Sequence, residues 1–507
     1  MALKIKYLNH VVKIVILALL LITIVNRTVS VLFDYQYPFP REYRDGAIID
    51  IANQFKQQVN PFSIKKILPH NYAYGFIPPL IIGTIGKLTG IGLTQIQLTL
   101  SLILSILTVV IVARETWKNS KNVFLSVISG LVTLIFVEIG FRPEIYAIFV
   151  TTFVLIISSK NKPKDATVYL LGATSMLLYY IKPYFILLSA VLFFRYLQFN
   201  NPKPYIIRLL ASIAITVLLS CLIVNYLFPM YFPQAFVSHI NLYNTHQLSW
   251  MTKQFFDFFS KNWSIFIAFI ALSIYGLVYR RRQTLNNVYF LYTSISVLCL
   301  VVSLGQHLGT YLTYFNQLLP ISIVLFICGT PYDRKKTTLW WKAIKYLFIV
   351  AVVINYGQFT LPVLANNKDK IKNWAKAINY ISHSDPQKSY LSPHFTTIAV
   401  ENSWPIYDNG QTEYFFAGDI FETTPKALKY LIPQTKLVAP MFKNWTDNLN
   451  KKIANREFSF ITVSKDYHPL IKDEYLKKNY AIDMTIDLPI NLGNVEFWKP
   501  IPLVPNR

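Results

Sequence analysis

The chain has 507 residues, 53% of them hydrophobic and 15% charged, and its 49 lysines and arginines against 25 aspartates and glutamates leave a net charge of +24. A nucleic-acid-binding protein of that charge would not devote more than half its residues to apolar and aromatic side chains, and neither would an ordinary soluble enzyme. Ten acids precede residue 360 and fifteen follow it, so the first 359 residues carry +21 and the last 148 carry +3, the pattern of a multi-span membrane protein with a soluble tail.

A hydrocarbon core roughly 30 Å thick takes about 20 apolar residues of helix. Eleven runs are predicted to span it: 11–33, 92–113, 122–139, 143–159, 166–181, 183–199, 206–228, 261–279, 286–304, 311–328 and 339–359. With Lys4 and Lys6 in the cytoplasm, the inner connections hold Arg114, Lys118 and Lys121; Lys160, Lys162 and Lys164; Arg195, Lys203 and Arg208; Arg280, Arg281 and Arg282; and Arg334, Lys335 and Lys336. That alternation obeys the excess of Lys and Arg on the cytoplasmic side. The first run has a basic start but no small-x-small cleavage site after it, and reads as an uncleaved span. The stretch 75–91, GFIPPLIIGTIGKLTGI, is short and broken by Pro and Gly. It reads as an interfacial or re-entrant helix, because counting it as a span would invert every later loop. The expected fold class is therefore an α-helical polytopic membrane protein of the cell membrane. Its transmembrane domain covers 1–359, with a first outer loop at 34–91 and another outer loop at 229–260.

An odd number of spans places 360–507 outside, where the pattern changes to a small α/β domain. Helices are predicted near 369–383, 424–431, 442–453 and 471–478, and strands near 389–393, 436–439, 458–463 and 495–500. The domain has no Gly-rich phosphate loop and no Cys/His metal spacing. Cys221, Cys299 and Cys328 all lie in or beside predicted spans, so disulfides do not hold this domain together.

Four of the ten early acids, Asp34, Glu42, Asp45 and Asp50, fall within DYQYPFPREYRDGAIID at residues 34–50, just after the first span. A carboxylate in a partly dry pocket at the bilayer surface can act as general base toward a hydroxyl or amine. Arg41 and Arg44 would keep such acids ionised or meet an anionic substrate. The plainer alternative is a solvated loop whose charges pair with one another. The outer loop 229–260 mixes aromatic rings with His239, His246, Gln247, Lys253 and Asp257, either to cover a substrate or as an interfacial aromatic belt. His239, His246 and His307 show no metal-ligand spacing; a divalent metal stays open, and no other cofactor follows from the residues. His307 and Gln306 lie between two spans, to line an acceptor path or to cap a helix. Asn316 and Gln317, inside a span, should face the bundle.

The stretch Asn60-Pro61-Phe62, followed by Asn71-Tyr72-Ala73-Tyr74-Gly75-Phe76-Ile77-Pro78-Pro79, resembles the segment after the acidic loop in the GT-C glycosyltransferases, polytopic enzymes that use polyprenyl-phosphate-linked sugars. Phe141-Arg142-Pro143-Glu144, Lys182-Pro183-Tyr184-Phe185 and the stretch from Gly309 to Pro320 are similar to further elements of the bacterial members, among them protein O-mannosyltransferase and aminoarabinose transferase relatives. The series covers roughly 1–330, and the tail is similar to the extracytoplasmic domain of bacterial members. The resemblance implies a glycosyltransferase that moves a hexose or pentose from a polyprenyl-phosphate donor to a lipid, glycan or protein acceptor on the outer face, with inversion. It places the catalytic carboxylate at Asp45, or at Glu42 three residues earlier; in a helix the two would share a face. Substrate binding would fall to Arg44, Tyr74, Arg142, Glu144, Lys182 and His307. Arg142 and Lys182, at outer span ends, would stabilise the departing phosphate or simply snorkel to the interface. Glu144 would hold Arg142 in place. A transporter or flippase of a lipid-linked saccharide is the alternative. It should show two similar halves and charges near span centres, and the sequence has no convincing repeat, while its membrane acids sit at span ends or in loops.

Overall fold

A computed structural model describes residues 2–36, 45–63, 68, 70, 72, 74–137, 140, 142–160, 163–240, 248–304, 319–329, 345–352, 368–409, 435–464, 470–488 and 493–502. Up to residue 352 its regular structure is helical: α1 (Ala2–Gln36), α2 (Asp45–Lys56), α3 (Ile77–Thr89), α4 (Leu93–Ser120), α5 (Val123–Phe136), α6 (Glu144–Ser158), α7 (Asp165–Leu177), α8 (Leu187–Leu197), α9 (Lys203–Leu227), α10 (Tyr231–Ile240), α11 (Leu248–Leu285), α12 (Val288–Leu304) and α13 (Leu319–Gly329), with a further helical stretch at 345–352. Each of the eleven apolar runs contains helix. Among the described residues α4 and α9 are long and apolar enough to cross a membrane. The segment 75–91 forms α3, thirteen residues with two prolines in its first turn. The expected outer loop 229–260 is largely helix, because its closely spaced aromatic residues continue the pattern of the run after it. Helix α11 runs from Leu248 to a break at Arg280, where φ is −147° and ψ is 42°, within the Arg280–Arg282 triplet.

Contacts divide the chain into two units, one of 1–33, 99–220 and 242–361, the other of 34–98, 221–241 and 362–507. In the first, helices meet through small residues and hydroxyls. A Cβ on Gly130 would lie 3.3 Å from that of Ala113, and one on Gly172 would lie 2.9 Å from that of Ser212. Ser126 Oγ donates to the Ala113 carbonyl at 2.8 Å, and the Thr293 and Ser322 hydroxyls are 2.7 Å apart. Close backbone approach and hydroxyl bonding are how helices associate where water supplies no hydrophobic drive.

In the second unit the tail builds a four-stranded sheet from β1 (Ser389–Tyr390), β2 (Phe460–Ser464), β3 (Tyr480–Asp487) and β4 (Asn494–Pro500), in the order β1-β2-β4-β3. Strand β1 pairs parallel to β2, and the other pairings are antiparallel. The fully buried β2 alternates between two layers. Phe460 faces the ring of Tyr380 on α14 (Lys368–His383), while Ile461 and Val463 join Leu449 and Ile453 of α16 (Thr435–Ala454) in the opposite core. Between β1 and α16 lies the short α15 (Thr396–Glu401), and α17 (Asp473–Asn479) precedes β3.

Two expectations change. Residues 436–439, read as a strand, form the first turn of α16: the three-residue apolar run Leu437 to Ala439 does not distinguish strand from buried helix, and the amphipathic pattern beyond Pro440 decides. Strand β3 was not expected, because Asp483, Thr485 and Asp487 interrupt its apolar residues; it lies at the edge of the sheet, with a bulge between Ile482 and Met484. The predicted helix at 424–431 lies outside the described residues.

On β3, the Tyr380 hydroxyl donates to Asp483 Oδ2 at 2.8 Å and Lys499 Nζ lies 3.0 Å from the same oxygen. These two donors hold the Asp483 carboxyl below its ordinary value. A lowered folded-state pKa adds stability above the unfolded value of about 3.9 and loses it as pH falls through the folded one. Asp483→Asn is therefore expected to lower the melting temperature at neutral pH slightly and to flatten its decline in acid, as read by thermal unfolding from about pH 6 to 2.

Candidate functional site

Helix α2 begins on Asp45, an acid favourably placed against the helix dipole, and continues with residues small and apolar enough to be packed on all sides. Nine of its twelve residues are buried. A Cβ on Gly46 would lie 2.5 Å from that of Thr396 in α15, and one on Gly83 of α3 would collide with the Ala52 carbonyl, so α15 meets the α2 backbone through the Thr396 side chain and α3 meets it backbone to backbone. After the helix, Asn60 Nδ2 donates to the Leu227 carbonyl at 2.6 Å, Met230 N to the Phe62 carbonyl at 2.9 Å, and Tyr72 N to Gln234 Oε1 at 3.1 Å. Phe62 packs edge-on against Phe76, Phe228 and Tyr231, with ring centroids 5.4 to 6.5 Å apart. The described residues between α2 and α3 are thereby seated on the end of α9 and on α10.

Two carboxylates of α2 are withdrawn from water, Asp45 at 5% exposure and Asp50 at 0%. Five residues at 3.6 per turn set them on different faces, about 140° apart. Both Asp50 oxygens lie 2.9 Å from His70 Nδ1, and Oδ2 also accepts from Asn409 Nδ2 at 2.9 Å. The other ring nitrogen of His70 meets Gln54 Nε2 at 3.4 Å. Asp408 is buried beside Tyr390, whose phenol burial pushes well above its ordinary value, with the Asp408 charge adding to the effect. Tyr74 packs its ring edge-on against Tyr72 at 5.6 Å. Glu42, Arg44 and His307 lie outside the described residues, as do Gln306, Asn316, Gln317 and His246.

The first unit holds the second charged cluster. Lys182 adopts an extended backbone (φ −157°, ψ 127°) between two short 3-10 turns, which turns its side chain toward Glu144 at the start of α6. Lys182 Nζ donates to Glu144 Oε1, and both side chains are almost wholly buried. Arg142 Nη1 stands 3.9 Å from the same oxygen, with its side chain 27% exposed. The sequence reading had Glu144 holding Arg142; its closer partner is Lys182. Burying a lysine requires a counter-charge at contact distance, and Glu144 supplies it. Arg142 is left as the outer, more accessible cation. Glu144 Oε2 has no hydrogen-bond partner among the described residues.

Three participants were not read from the sequence. Asp50 belonged to the acidic cluster without a role of its own, and His70 lies only 20 positions on; an imidazole and a carboxylate in one short loop are a signal that could have been used. Asn409 lies 359 positions from Asp50 and has no local signature. Among the described residues, no group of three or more His, Cys, Asp or Glu could hold a metal ion.

No family model matches the sequence, and no curated protein does. Two crystal structures of the Archaeoglobus fulgidus oligosaccharyltransferase are similar to the chain. The apo form is 12% identical with a TM-score of 0.43, the match covering 89% of this chain and 69% of that one. The form tethered through a disulfide bond to an acceptor peptide containing the NVT sequon is 11% identical with a TM-score of 0.43, over 98% and 75% of the two chains.

Glu144→Gln leaves Lys182 buried without its counter-charge and is expected to cost about 3–5 kcal/mol. Adding Lys182→Met should recover most of that loss. Thermal unfolding of the detergent-solubilised protein checks both.

Proposed function

We propose that this protein is an integral-membrane glycosyltransferase of the extracytoplasmic face, which moves a sugar from a polyprenyl-phosphate donor to a nucleophilic acceptor. The observation that carries the reading is Asp45: a carboxylate from the chain's small store of early acids, 5% exposed at the first turn of α2. A carboxylate in such a place is poised to take a proton from a hydroxyl or amine as it attacks the anomeric carbon. The bond from that carbon to the phosphate oxygen breaks as the new one forms, and attack opposite the leaving group inverts the configuration.

Departure of the donor leaves negative charge on phosphate, and Arg142 is the group suited to it. Its planar fork binds phosphate in two-point fashion, and Lys182 already occupies Glu144. In this reading Lys182 and Glu144 orient Arg142 and do not themselves meet the donor. A bilayer setting is supported by the helices of the first unit, which turn large apolar side chains outward: Ile14, Leu218 and Val278 are all more than 60% exposed. Contiguous apolar surface on helices whose backbone groups bond internally suits lipid.

Purified protein supplied with a polyprenyl-phosphate sugar should transfer it. Asp45→Asn should lower kcat by about 10²–10⁴ while donor binding persists, and Arg142→Gln should raise the donor KM by about 10-fold or more. A carrier of lipid-linked saccharide would show neither effect, and wild-type transfer that survives Asp45→Asn unchanged would falsify the assignment of the base.

A further inference from the structure

The hydrogen-bond network around Asp50 draws on three elements of the chain. One partner comes from the first outer loop, His70; one from the tail, Asn409; and one from the same helix a turn later, Gln54. Asp50 on Nδ1 places the ring proton there, so Nε2 is the acceptor and the Gln54 amide donates to it. The imidazole therefore bridges positions i and i+4 of α2, which lie on one face of the helix. Asn409, itself fully buried, reaches the same carboxylate from the C-terminal domain. A turn of α2 by a single residue swings its side chains by about 100°, and no hydrogen bond in this set would survive it. The close approaches at Gly46, to the Thr396 side chain, and at Gly83, to the Ala52 carbonyl, oppose the same rotation sterically.

We propose that His70 and Asn409 are positioning residues: they clamp the Asp50 carboxylate from two sides, fix the rotation of α2, and so set the direction in which Asp45 points. The C-terminal domain thereby supplies part of the first-loop site. The consequence for turnover rests on the transferase reading above, whereas the clamp itself does not.

Full-length protein in detergent tests both parts. His70→Ala and Asn409→Ala should each raise backbone hydrogen exchange across residues 45–56 by about 10-fold. They should also lower kcat by about 10-fold, with the KM values for donor and acceptor within about twofold. His70→Gln, which keeps a donor toward Asp50, should restore both to within about threefold. Should His70→Ala not fold, Asn409→Ser carries the same test. Unchanged exchange in 45–56 overturns the clamp whatever the activity. Raised exchange with undiminished kcat overturns the link to Asp45. A wild-type chain that transfers no sugar defeats the transferase reading alone, and the exchange measurement still decides the clamp.

Discussion

A carboxylate taken wholly out of water costs several kcal/mol unless hydrogen-bond donors replace the solvent it loses. Asp50 meets that demand with the donors of His70 and Asn409. Because those donors are fixed in direction, they specify an orientation as well as offsetting a cost. Glu144, in the other unit, faces the same demand and is served by the lysine buried with it and by Arg142 beyond. An ammonium is a compact point charge with rotatable donors, so the pair neutralises more than it aims, and the excess positive charge stays on Arg142, the member nearer solvent. One constraint is thus met in two ways, by directional donors at Asp50 and by paired charge at Glu144.

The polar groups of the apolar helices follow the same rule on a smaller scale. Thr108 donates to the Leu104 carbonyl, Thr133 to Ser129 and Thr152 to Ile148, each at 2.7 Å. Thr84 and Thr89 do likewise on α3, bonding Leu80 and Ile85 at 2.7 and 2.8 Å, although both side chains are exposed. A hydroxyl already bonded to its own helix needs no water. The exposed face of α3 consequently offers Ile81, Leu88 and internally satisfied threonines, with Lys87 the only charge on it. At thirteen residues, about 20 Å, the helix is too short to cross a bilayer and has the composition of one that lies along it.

Long apolar runs made many of the described helices before residue 353 legible, because run length is a property of the local sequence, whereas α2 and α10 lie in stretches read as outer loops. In the tail, Phe460 to Ser464 and Asn494 to Pro500 were legible for a similar reason: apolar residues placed on one or both faces of the sheet. Residues 436–439 misled because three apolar residues do not fix a period, and β3 was missed because Asp483, Thr485 and Asp487 give an edge strand the appearance of a loop. Of the candidate site, the acidic cluster that contains Asp45 and Asp50 was legible from the scarcity of acids around it. The partners of these groups were not. Lys182 reaches Glu144 across 38 positions and Asn409 reaches Asp50 across 359, and nothing in the local pattern at either end reports such a contact.

The mild sequence of α2 follows from what surrounds it. A surface helix carries one apolar stripe, but this one is enclosed, by α3 at Gly83 and by α15 at Gly46, so it needs small or apolar residues on every side. Enclosure of that kind already limits rotation, because a Cβ brought to the place of Gly46 would collide with Thr396. Hydrogen bonds add direction to that steric fit, and among the described residues Asp50 is so held by His70 and Asn409, with Gln54 on the far side of the imidazole. Asp45 sits at the end of the helix whose rotation those bonds help to fix, five residues from the clamp.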